Sequence, residues 1–421
     1  MNKRYLIIFI FCLIISFIIR ILLTPYGNHW DLYANTDWGK WIHLNGPHNF
    51  FTYSPWAYTK PTQLPLIDLI YAYNNIISEK IVLFGNNSIG ESFKIGQFIS
   101  MKIIPIFADI GIGIVIFIFG SRYVGIKTGL LTSLIYLYSP FTFYLSSLWG
   151  QYDQLSTLFL LLAFLVVYWR VRSKHNLNYL YLVISSLFYF ISIEVKPLAL
   201  FVAPLFLYYI YKQNTKLVGL ILAVVLIFGL FIVTSIPFVT GNVFPYLAKV
   251  IIPSVIYDGS NFVSIHAFNF WGLVSPSVGD SIIFPGFGKQ IIFGRYLIIV
   301  ALNIISIFIV SKKDSLKNIL LGIFIVVGGS FIFTLGMVER YYFSGIVLFL
   351  FLTMFNKKTL SLWIMAAILF FLNLLLAWGY PFDLLIPTLF WNMYPLVSLL
   401  SGLQIIVFLS SVILCLRDNE N

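Results

Sequence analysis

Charge is scarce in this chain. Only 10% of its 421 residues are Asp, Glu, Lys or Arg, while 60% are hydrophobic. Soluble domains carry about 25% charged and about 45–50% apolar residues, so a water-soluble globular fold is excluded. Cysteine is scarcer still: Cys12 and Cys415 lie in apolar stretches at opposite ends. Without metal or redox spacing both read as small hydrophobes, which excludes a disulfide framework and a thiol redox motif. The chain has no GxxxxGK[ST] loop, no HExxH, no Ser–His–Asp signal and no dinucleotide fingerprint. These gaps exclude P-loop and Rossmann nucleotide chemistry and zinc hydrolysis. Long apolar runs fill the chain instead, and they mark an integral membrane protein.

Apolar segments that suit a crossing fall at 5–24, 100–120, 126–147, 154–169, 178–193, 197–211, 217–236, 291–310, 317–335, 341–355, 359–377 and 399–416. The expected fold is therefore all-α and polytopic, with about twelve transmembrane helices. The net charge of +11 is not gathered into a nucleic-acid patch. Fifteen of the 26 basic residues stand at alternate corners, accompanied there only by Asp314, Asp418 and Glu420. Positive residues collect on the cytoplasmic side, so both termini are expected inside. The run from Tyr5 to Leu23 shows no small-x-small cleavage site after it, and Arg20 interrupts it, so an uncleaved first helix is expected. The whole of 1–421 reads as one membrane-embedded domain. The outer side then holds the first loop (25–99), the loops 237–290 and 378–398, and corners at 149–153, 194–197 and 338–341. Within the first loop, residues 62–78 are too polar for a lipid-facing span and suit an interfacial or re-entrant helix.

The polar residues at these outer corners are the candidates for chemistry. Asp31 and Asp37 follow the first span, among histidines and aromatics. Either could be a solvated loop acid. A carboxylate held at the membrane surface could instead deprotonate an acceptor hydroxyl while a lipid-linked donor presents its reacting carbon. Gln151 and Asp153 stand at the next outer corner, where Asp153 suits either an N-cap or a polar contact. Glu194 and Lys196 read as a corner ion pair, or as a phosphate site in which Lys196 binds the anion. Glu339, Arg340 and Tyr341 repeat that logic, with Arg295 and Lys102 as weaker versions. Asp109 lies inside the second span and needs a polar partner or a cavity; a relay there would suit a transporter. His266 and Asn269, in an Asn- and aromatic-rich stretch, suit a sugar or headgroup contact.

The order of an acidic first outer loop, Trp-Gly-Gln-Tyr-Asp at 149–153, Lys-Pro at 196–197, Ser-Ile-His-Ala-Phe-Asn-Phe-Trp-Gly at 264–272 and Glu-Arg-Tyr at 339–341 resembles the polytopic glycosyltransferases of the GT-C superfamily. It is most similar to the prokaryotic proteins that resemble the second mannosyltransferase of GPI-anchor synthesis. Two positions depart from that pattern: Val338 stands where a His is common, and His266 where an Asn is common.

The resemblance implies an inverting transferase that takes a hexose, mannose by family weighting, from a polyprenyl- or dolichyl-phosphate donor. The acceptor would be an extracytoplasmic glycan, glycolipid or protein. Asp31 falls at the position of the family's base. Lys196, Arg340 and Arg295 would meet the donor phosphate, with Glu339, Tyr341, Asp37, Gln151, Asp153, His266 and Asn269 as further substrate contacts. Asp31 and Asp37 are not adjacent, so a bound divalent metal is not expected, and no cofactor is implied beyond the lipid-phosphate substrate. The expected setting is the cell membrane, with the site outside the cytoplasm, membrane lipids as neighbours, no nucleic-acid partner and a monomeric chain. A transporter or flippase for a polyprenyl-linked or other anionic substrate is the alternative.

Overall fold

A computed structural model describes residues 3–27, 29–53, 56–80, 88–89, 93–172, 179–253, 264–274, 288–381 and 394–417. Much of the loops 237–290 and 378–398, with Asp418 and Glu420, lies outside the described residues. The fold is helical, and its only strands among the described residues are two pairings of two residues each. All twelve apolar segments carry helix, but among the described residues eight helices are long and apolar enough to cross a membrane. The chain is a multi-pass membrane protein.

The eight are α1 (Lys3–Leu23), α4 (Ile95–Tyr123), α6 (Asp153–Arg172), α9 (Lys216–Ser235), α10 (Gly288–Lys312), α11 (Leu316–Phe333), α13 (Leu360–Ala377) and α14 (Tyr394–Arg417). The other four segments are short or broken, for reasons visible in their residues. Helix α5 (Ile126–Leu137) stops before Pro140, which has no N–H for the helical ladder, and a wider turn carries the chain to Trp149. Helix α7 (Tyr179–Val195) ends before Pro197, where a tight 3-10 turn leads into α8 (Ala203–Ile210). Helix α12 (Phe343–Thr353) likewise follows a 3-10 turn, Glu339–Tyr342.

The first loop folds into two helices. Helix α2 (Trp30–Asn45) is capped by the His29 side chain, which accepts from the Asp31 N–H. Helix α3 (Pro65–Lys80) opens on a proline, whose missing N–H costs nothing at that position. It packs against α2, α4, α7 and α9. Gly39 sets the α2–α3 approach: a Cβ there would lie 2.5 Å from the Tyr71 carbonyl oxygen.

Two buried cations fix the frame beneath this pair. Arg20 pairs with Asp109 at 3.5 Å and donates to Thr142 at 2.9 Å and to the Leu137 carbonyl at 3.0 Å. Tyr136 donates to the other Asp109 oxygen at 2.5 Å. Asp109 therefore has a structural partner inside the bundle, which ties α1 to α4 and α5. Lys102, fully buried, donates to the carbonyls of Thr24, Tyr26 and Gly27 at 2.8 Å each. It satisfies the carbonyls at the end of α1, where a cation is favoured, and so anchors the chain just before Asp31. All three of its N–H groups are committed, so it is not placed to hold a lipid phosphate.

The α2–α3 contact leaves no room for one methyl group. Gly39→Ala should lower stability by about 1–3 kcal/mol through overpacking, read as a fall in the melting temperature of the detergent-solubilised protein.

Candidate functional site

Corners that are distant in sequence meet at Asp31. The wide turn before Trp149 ends at Gly150, whose positive φ of 78° suits glycine. That turn delivers Trp149 and Gln151 to α2. The Gln151 side-chain amide donates to Asp31 Oδ2 at 2.7 Å, and the Trp149 indole N–H lies 3.3 Å from the same oxygen. Arg340 brings a guanidinium nitrogen to 3.4 Å of Oδ2, and His29 Nδ1 stands 3.3 Å away. Nδ1 can accept from the Asp31 N–H or donate to the carboxylate, not both; the 3.0 Å helix cap is the shorter contact. All these contacts fall on one oxygen. The side chain is nevertheless about a third exposed, at 32%, and lines a cavity of about 210 Å³.

Arg340 is held on several sides. It donates to Glu339 at 2.8 Å and lies over the rings of Trp149 and Tyr341. Its Nε is buried without a hydrogen-bond acceptor. Lys196 pairs with Asp153 at 3.4 Å and also faces Tyr341. Arg340 and Lys196 both line the Asp31 cavity, and both also line a larger cleft of about 510 Å³. Arg295 stands in that cleft with its own Nε buried and unpartnered. The remaining walls there are largely apolar, including Leu200, Phe201 and Ile299. Two cations thus divide a polar chamber holding a carboxylate from a cleft that mixes apolar surface with positive charge.

Burial opposes ionisation of Asp31. Arg340 first, then the His29 contact and Lys196, outweigh it and hold the carboxyl far below the usual carboxylate range. Asp37 behaves in the opposite way: burial pushes its carboxyl up, against the Ala57 N–H and Lys40. It lines a separate cavity of about 240 Å³ with Lys40 and Trp41, one helix face away from Asp31.

The structure therefore brings together Asp31, Gln151, Asp153, Lys196, Arg340, Glu339 and Tyr341, adds Arg295 through the cleft, and sets Asp37 apart. His266 and Asn269 do not line either chamber. Asn269 is fully buried, accepts from the Trp271 and Gly272 N–H groups and donates to the Phe331 carbonyl. His266 sits at φ 51°, a left-handed region that His tolerates better than most residues, and its carbonyl accepts from Asn373. The pairing of Ser264–Ile265 with Met337–Val338 binds this motif to the corner carrying Arg340. Two corner expectations are corrected. Glu194 does not pair with Lys196; it accepts from the Leu66 N–H at 2.8 Å and from Thr234, fastening α3. Asp153 is the first residue of α6, and its carboxylate faces Lys196 instead of capping the helix. Thr62 and Gln63, which line both chambers, carried no sequence signal beyond preceding Pro65.

No protein-family model matches the chain, and no curated protein matches its sequence. The site has to be read from its own chemistry. Among the described residues there is no group of three or more His, Cys, Asp or Glu that could hold a metal ion.

Arg340 is the main influence lowering the Asp31 pKa, so its removal should be visible at Asp31 itself. Carbodiimide labels protonated carboxyls; at about pH 5, above the ordinary Asp value of about 3.9, wild-type Asp31 should stay unlabelled. Arg340→Gln leaves burial less opposed, and labelling of the Asp31 peptide, read by mass spectrometry, should rise several-fold.

Proposed function

We propose that this protein is an inverting, GT-C-type glycosyltransferase that moves a hexose from a polyprenyl-phosphate donor to an acceptor hydroxyl. The observation that carries the reading is a pair of chambers that share Thr62, Gln63, Lys196 and Arg340 as wall. An acid stands in the polar one, an apolar cleft forms the other, and Arg340 and Lys196 stand at the boundary. A lipid-phosphate sugar has the matching sequence of parts: an apolar chain, an anion and a polar ring. Buried Nε groups on Arg340 and Arg295 are orphan donors in a largely apolar cleft, a costly arrangement that an anion would relieve.

In this mechanism the acceptor oxygen attacks the anomeric carbon as its proton passes to Asp31. The bond from that carbon to the phosphate oxygen breaks, and the lipid phosphate leaves with the electron pair. Arg340, Lys196 and Arg295 stabilise the charge gathering on the phosphate. Gln151 and Trp149 hold one carboxylate oxygen, and the other would take the proton. A phosphate is already a good leaving group, so no general acid is needed. Twelve crossings with both termini inside would put this chamber on the extracytoplasmic face, where activated sugars arrive on lipid carriers. The ordering of motifs supports the same family, with mannose as the family-weighted sugar. The transporter reading draws less support, because Asp109, its coupling group, is paired with Arg20 in the bundle.

Incubating the purified protein with a panel of polyprenyl-phosphate hexoses and a membrane-glycolipid extract should release polyprenyl phosphate. Asp31→Asn should lower turnover by about 10²–10⁴-fold without weakening donor binding, whereas Arg340→Gln should raise the donor KM. No donor consumption by the wild type across the panel, or full turnover by folded Asp31→Asn, would sink the reading.

A further inference from the structure

The base and the phosphate-binding group of this mechanism stand side by side. Arg340 lies 3.4 Å from Asp31 Oδ2. Inversion requires the acceptor and the leaving phosphate to stand on opposite faces of the sugar carbon. With reacting atoms about 3–3.5 Å apart and the base about 2.6–3.2 Å from the acceptor oxygen, base and leaving oxygen are separated by roughly a ring's width. A guanidinium lying against the base occupies space that the sugar needs.

Resting on the glycosyl-transfer reading, we propose that the donor phosphate takes Arg340 from Asp31, so that Asp31 becomes a working base only after the donor has bound. Three features of the site fit this exchange. Glu339 holds Arg340 from the other side at 2.8 Å, so the guanidinium stays paired when it leaves Asp31. Its buried Nε has no acceptor and belongs to a residue that also lines the cleft. Gln151 and Trp149 keep Asp31 in place without Arg340. A carboxylate held so far below its ordinary range is a feeble base, and loss of its nearest cation moves it in the useful direction. Donor binding then precedes productive acceptor binding, and an acceptor alone meets a base whose other oxygen is still paired with Arg340.

The exchange makes Asp31 a competitor of the phosphate, which gives its removal a sign opposite to that of a scaffold. Binding of a short-chain polyprenyl monophosphate to the full-length protein in nanodiscs would be measured by calorimetry for wild type, Asp31→Asn and Arg340→Gln. Asp31→Asn should bind the probe several-fold more tightly than wild type, and Arg340→Gln several-fold more weakly. Asp31→Ser should repeat the gain, and it covers the case in which the first variant is unstable. Equal or weaker binding by a folded Asp31 variant would overturn the proposal, since Asp31 would then be neutral toward the phosphate or be holding Arg340 in place for it. The readout needs no turnover. A failed exchange is therefore distinguishable from a failed glycosyl-transfer reading, which the donor panel tests.

Discussion

The contact between Asp31 and Arg340 is the constraint around which the described structure is arranged. It joins residues more than three hundred positions apart, in a chain with few charges to place. Charge buried in such a protein is costly unless it is paired and hydrogen-bonded, so every neighbour of this pair has a task. Gln151 and Trp149 serve the carboxylate, His29 caps the helix that carries it, and Glu339 serves the guanidinium. Lys102 fixes the chain ahead of Asp31 by satisfying three carbonyls, and Arg20 with Asp109 fixes the helices below it.

The same economy separates chemistry from architecture. Two acid–base pairs close to the membrane-spanning helices resemble each other on paper, yet differ in exposure. Arg20 and Asp109 are both fully buried and face other polar groups of the bundle. Arg340 and Asp31 are partly exposed and border open chambers. Only the second pair borders open space. Glu194, fully buried and bonded to the Leu66 N–H, belongs to the architecture despite sitting two residues from Lys196.

Much of this was legible in the residues. Hydrophobic length marked the helical segments, and the corner at 194–197 marked one break, but the break before Pro140 lies inside a segment, 126–147, that reads as a single crossing. The polar corners stood out because charge is rare, and most of them converge on Asp31. Three things were hidden. The partner of each charge is a tertiary fact: Lys196 pairs with Asp153 and not with Glu194 two residues away, and sequence spacing does not say which corner lies opposite. Asn269 and His266 looked like substrate contacts, because a motif rich in Asn and aromatics has the same composition whether it binds a ligand or caps a helix. Thr62 and Gln63 gave no signal, since their importance comes only from the position that α3 imposes on them.

Arg340, Lys196 and Arg295 are proposed to receive a lipid phosphate beside Asp31. A cryo-EM structure of the protein with a polyprenyl phosphate bound tests this most directly. The account predicts phosphate density in contact with Arg340 and Lys196, the lipid chain in the apolar cleft, and Arg340 drawn away from Asp31. A phosphate resolved elsewhere on the protein, with the Asp31–Arg340 contact intact, would contradict it.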